Sequence, residues 1–139
     1  MTLGIAEDIR DYLVSLSITG VDAAHAFVGL LPESPDAILG VLPSGGLRPE
    51  VNMGSSSSAR VTARRASLAI QIRAARDGRA AAMTMGEAVY AALALAADFT
   101  VNSHRYLKVE AQGDLFVIVP DGNERPLIGF NVEAWKAGA

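Results

Sequence analysis

Three stretches of this chain alternate residue by residue, and that period of two admits only strands. In Ser67–Ala74 (SLAIQIRA), Leu68, Ile70 and Ile72 share one face, while Ser67, Ala69, Gln71 and Arg73 share the other. In Leu127–Trp135 (LIGFNVEAW), Ile128, Phe130, Val132 and Ala134 point one way. Leu127, Gly129, Asn131, Glu133 and Trp135 point the other. In His104–Gln112 (HRYLKVEAQ), Tyr106 and Lys108 oppose Leu107 and Val109. A helix would spread each set around its circumference, so these segments require a half-buried sheet.

Two further segments carry the helical period. Ile5, Ile9, Tyr12, Leu13 and Leu16 form one stripe of a helix over about Leu3–Leu16, with Thr2 as N-cap and Glu7, Asp8, Arg10 and Asp11 off the stripe. Thr19-Gly20 ends that unit. Ala82, Met85, Val89, Ala92, Leu93 and Ala96 mark a second helix over about Arg79–Ala97, where Gly86 points to close packing on the sheet.

Ala24–Leu31 and Ala37–Leu42 read as strands separated by the turn-forming Pro-Glu-Ser-Pro-Asp segment. Such near neighbours most simply make an antiparallel hairpin or meander. Pro43-Ser44-Gly45-Gly46 closes the second strand. The stretch 47–65, with Pro49, Gly54 and Ser55–Ser58, then reads as a long flexible loop. It is a linker arm, an assembly loop that orders on a partner, or a hairpin that periodicity does not reveal. Near the end, Asp121-Gly122-Asn123-Glu124 turns an apolar run into the closing strand. The order helix, three strands, helix, two or three strands predicts one α+β domain over 1–139. It is a largely antiparallel mixed sheet with two helices packed on one face and a long loop between the second and third strands.

A chain of 139 residues buries about two thirds of its unfolded surface. Half of its residues are apolar, but many are alanine, so the core is thin and gains from burial against neighbours. With no cysteine, disulfides, thiol nucleophiles and thiolate-bound zinc are excluded. His25 and His104 have no metal-ligand spacing around them, and no nucleophile elbow, dinucleotide fingerprint or Walker lysine is present. The expectation is therefore a protein without catalytic residues, metal or cofactor. The N-terminal stretch has acids and no basic leader, and the Ala80–Ala97 stretch is too weakly apolar for a membrane span.

The charge is unevenly distributed. Between Arg48 and Arg79, seven arginines face two acids, a local +5, and the rest of the chain carries five basic residues against thirteen acids, a local −8. Such a separation suits docking between copies. Arg48, Arg60, Arg64 and Arg65, together with Trp135 on the face opposite Phe130, are the candidate partner-binding residues. No aromatic lies between these arginines to stack on a base, so acidic protein surfaces are favoured over nucleic acid.

With these elements in place, the chain resembles the minor capsid and tail-terminator proteins of long-tailed bacteriophages. The resemblance spans about Leu3–Trp135 and rests on Ser44-Gly45-Gly46, on Asn102–Tyr106 and on Phe130-Asn131-Val132. Ser103 departs from it, since a glycine is common there, and so does the long Ser-rich stretch. The resemblance implies a structural virion protein at the head–tail neck, assembled in the host cytoplasm. It would form a ring, a homohexamer, that caps the tail tube and joins it to the head connector or stopper protein. DNA would pass through the lumen without specific binding. The alternatives are another neck component, such as a stopper or connector-completion protein, and a small cellular α+β module that binds a peptide or ligand.

Overall fold

The computed structural model describes residues 4–29, 31–52, 60–118 and 124–137, with backbone alone for 46–52 and 60–62. The elements are α1 (Ile5–Ser15), β1 (Ala26–Val28), β2 (Ile38–Asn52), β3 (Arg60–Arg73), α2 (Arg79–Ala94), β4 (Ala97–Val101), β5 (His104–Ala111), β6 (Phe116–Ile118) and β7 (Leu127–Ala137). One sheet runs in the order β1-β2-β3-β7-β5-β4. β6 follows β5 along the same edge of β7, pairing with residues 127–129 while β5 pairs with 132–136. β1 and β2 are parallel, and all other pairs are antiparallel.

Three cross-strand rows fill the interior. Leu39, Ile72 and Ile128 form the first, Val41, Ile70 and Phe130 the second, and Leu68 pairs with Val132 in the third. All are buried, as the alternation requires. Both helices cover this face. α1 contributes Ile5, Ile9 and Leu13, and α2 contributes Ala82, Val89 and Leu93 to the same cluster. Tyr90 meets Phe130 edge-on, with centroids 5.2 Å apart. Gly86 lets α2 approach closely: a Cβ there would lie 3.4 Å from Leu115 and 3.7 Å from both Ile72 and Ile128. The α+β class, the two helices on one face and the packing role of Gly86 follow the sequence pattern.

Four features differ from it. β1 and β2 are parallel, not a hairpin, and buried arginines hold the intervening 32–36 loop. Arg73, expected on the outward face, is only 3% exposed. Its Nε donates to Asp36 O at 3.0 Å, and its Nη2 donates to Pro32 O and Pro35 O at 2.5 and 2.8 Å. Arg125 adds bonds to Glu33 O at 2.6 Å and Asp36 Oδ1 at 3.2 Å. The loop includes a cis Ser34–Pro35 bond.

Much of the expected loop 47–65 is strand. β2 and β3 pair from Ile38–Arg73 out to Asn52–Arg60, with register shifts at Pro43/Gly46, Leu47/Glu50 and Glu50/Val51. Those shifts accommodate the prolines and Gly45, whose φ is +97°. The Ser55–Ser58 run lies outside the described residues, as do Thr2 and the Asp121–Asn123 turn.

A bulge interrupts β5. Tyr106 pairs with Lys136 and Lys108 with Trp135, so Leu107 is the extra residue. Tyr106 and Val109 therefore both enter the core, and Leu107 is exposed. β4, absent from the sequence reading, completes a hairpin with β5.

Candidate assembly surfaces

The sheet has one helix-covered face and one open face, and the register sets which charges occupy each. On the open face, Arg65, Trp135 and Lys108 stand side by side across β3, β7 and β5. The Arg65 guanidinium lies 4.9 Å and the Lys108 ammonium 4.6 Å from the Trp135 ring. Lys108 also pairs with Glu110 at 2.5 Å. Trp135 is half-buried, and its Nε1 is shielded from solvent without a hydrogen-bond partner among the described residues. A donor of this kind is costly unless an acceptor arrives from outside.

Of the predicted partner residues, then, the fold brings together Arg65 and Trp135. Arg64 alternates to the helix-bearing face, where it is exposed and sits opposite Lys136. Arg48 and Arg60 lie on β2 and β3 of the same long hairpin, their side chains outside the described residues. Lys108 and Lys136 were missed. Alternation in β7 assigns Lys136 to the face of Phe130, but its pairing with Arg64 needs the register.

A second polar constellation joins α1 to the β4–β5 hairpin. Asp8, expected off the helical stripe, is fully buried. Its position three residues after Ile5 and four before Tyr12 could have placed it on the stripe. Asp8 Oδ2 accepts from Tyr106 Oη at 2.5 Å and lies 2.6 Å from His104 Nδ1. Asn102 Nδ2 donates to Asp8 Oδ1 and to Asp11 Oδ2, both at 2.9 Å. Burial, reinforced by the Asp8 carboxylate, pushes the Tyr106 hydroxyl far above its ordinary titration range. Partial burial raises the Asp11 pKa, but hydrogen bonds from Asn102 and Arg10 outweigh it and hold the carboxyl below its usual value. His25 Nδ1 lies 2.7 Å from Asp22 Oδ1, so each histidine has a carboxylate beside it. Among the described residues no group of three or more His, Asp or Glu is arranged to hold a metal ion.

The outward side of α2 carries Arg79 at its first position and is otherwise mostly alanine. Ala80, Ala81, Ala88, Ala91 and Ala94 are exposed, and Glu87 is the carboxylate among them. Beside it, a cleft of about 710 Å³ opens between Leu16–Gly20 and the helix positions Ala81, Thr84, Met85 and Ala88.

No protein-family model and no curated protein matches the sequence. The fold does find a counterpart among solved structures. The chain aligns with one from the virion of a native gene transfer agent particle, with a TM-score of 0.62, covering 99% of this chain and 100% of that one at 14% identity. At that identity the likeness is one of fold.

Proposed function

We propose that this chain is a structural protein of a phage-like virion, acting in the head–tail neck as a ring that caps the tail tube and joins it to the head connector. The observation that carries the proposal is the likeness of fold to a virion chain, which spans 99% of this chain and 100% of that one. The sequence resemblance to tail-terminator proteins supports the finer role. The surfaces suit it: a helix-covered face, an open sheet face and a long arginine-bearing hairpin offer different surfaces to different neighbours, as a heterologous ring contact requires.

In this reading Arg65, Trp135 and the hairpin arginines contact acidic protein surfaces. Reversing Arg64 to Glu should leave folding intact, because Arg64 is exposed and exposed charges contribute little to stability. It should block tail capping or head joining, because like charges in contact weaken an interface strongly. Electron microscopy of particles made with the wild-type gene, without it and with the variant tests this. Overlong tails or unjoined heads are expected in the last two cases. Normal particles without the gene would overturn the neck role. Duplex DNA binding by the wild type that falls steeply with salt would instead favour nucleic acid as the hairpin's partner.

A further inference from the structure

Arg64 and Lys136 are directly opposite each other across β3 and β7. Like charges in that position repel. Lys136 is only 8% exposed, and Arg64 is exposed at the edge of a cleft beside the start of α1. Glu7 lines the same cleft without closing an ion pair, and neither cation has a hydrogen bond or ion pair among the described residues. The backbone of Arg48 lies on β2 beside this pair, within the shift between Leu47–Arg65 and Glu50–Ala63. Two strands thus bring cations face to face at one end of the sheet, with no ion pair to either among the described residues.

The complementary surface is on the same chain but out of its own reach. Glu87 is exposed, has no ion pair among the described residues, and is surrounded by the alanines of α2. Gly86 beside it packs over Ile72 and Ile128, eight ladder positions from the Arg64–Lys136 pair. At a strand's rise this is about 26 Å. One copy cannot satisfy itself, whereas two copies can.

We infer that the Arg64–Lys136 edge of one copy docks on the α2 face of a second copy, with Glu87 neutralising the cation pair and the surrounding alanines buried in the contact. The inference rests on the ring reading above and assigns its copy-to-copy interface. The two surfaces differ in position and in sign, so the contact is head-to-tail and every copy supplies one of each. The local +5 and −8 charge blocks point to the same complementarity. An α2 face made mostly of alanine fits protein burial better than a nucleic-acid backbone.

The test uses the full chain and sedimentation over a range of concentrations. Arg64→Glu and Glu87→Lys should each weaken self-association by about tenfold or more, since each leaves like charges in contact. The double variant, Arg64→Glu with Glu87→Lys, should restore association to near the wild-type level, because it re-forms the pair with its signs exchanged. Circular dichroism checks that each variant is folded; both positions are exposed, so neither change burdens the core. If the wild type assembles and both single variants assemble equally well, the docking is wrong and the ring stands. Single variants that fail without rescue by the double variant remove Glu87 as the partner. A wild type that is monomeric throughout, both alone and with tail tubes, removes the ring reading and this interface together.

Discussion

Tyr106 donates its hydroxyl proton to Asp8 Oδ2 at 2.5 Å, linking β5 to a helix 98 positions earlier in the chain. The same carboxylate contacts His104 and Asn102, so a fully buried charge is held by groups from a single hairpin. Such a charge is tolerated in the interior only when its partners are all in place. The network therefore fixes where the β4–β5 hairpin sits against α1.

Its loss should be visible in stability and in alkali. Asp8→Ala strands the Tyr106 hydroxyl and is expected to cost about 3 kcal/mol. Tyr106 holds its proton more tightly folded than unfolded, since its pKa is raised above the ordinary value of 10.0. That contribution is fully present below pH 10 and is lost as pH rises beyond it. Urea unfolding from pH 8 to 11.5 should show a falling limb above pH 10, shallower in Tyr106→Phe. An identical limb in that variant would assign the alkaline loss to other groups.

The β4–β5 turn offers a gain. Asn102 and Ser103 both have positive φ, 50° and 65°, as a two-residue hairpin turn of the mirror-image type requires. Serine is strained there, so Ser103→Gly should stabilise the protein by about 1 kcal/mol, less the entropy of a freer unfolded chain. Asn102→Gly should destabilise it despite the same backbone freedom, because it removes the bonds to Asp8 and Asp11. Denaturant midpoints compare the two. A gain in both would make the turn, not the side-chain bonds, the controlling feature.

The two faces of β7 should separate folding from assembly. Phe130 is fully buried, and Phe130→Ala is expected to cost about 3–5 kcal/mol. Trp135→Ala removes two partly exposed cation–π contacts, about 1–2 kcal/mol, and should disturb tail capping or head joining more than folding. Thermal unfolding of the monomer, beside electron microscopy of particles, measures both. A larger stability loss for Trp135→Ala would show that the open face holds the fold together.

The strand faces were legible because alternation is local: Ile70, Ile72, Phe130 and Val132 needed no knowledge of their partners. What lay beyond reach was set by distant pairing. The exit of Leu107 depends on the register between β5 and β7, and the burial of Asp8 depends on a hairpin far along the chain. The strands within 47–65 were hidden by Pro49, which a bulged ladder accommodates. Of the candidate contacts, Arg65 and Trp135 were found by charge and alternation. Lys136 emerged only when β3 and β7 were laid side by side.

Arg73 takes hold of the 32–36 loop by peptide oxygens, at Pro32, Pro35 and Asp36. Peptide oxygens are supplied by any residue, so this grip recognises the path of the loop and is indifferent to much of its sequence. The Glu33 side chain, 83% exposed, can change while its backbone stays in position. A lineage could thus rewrite the chemistry of this corner, and with it the neighbour it meets, without redrawing the fold beneath.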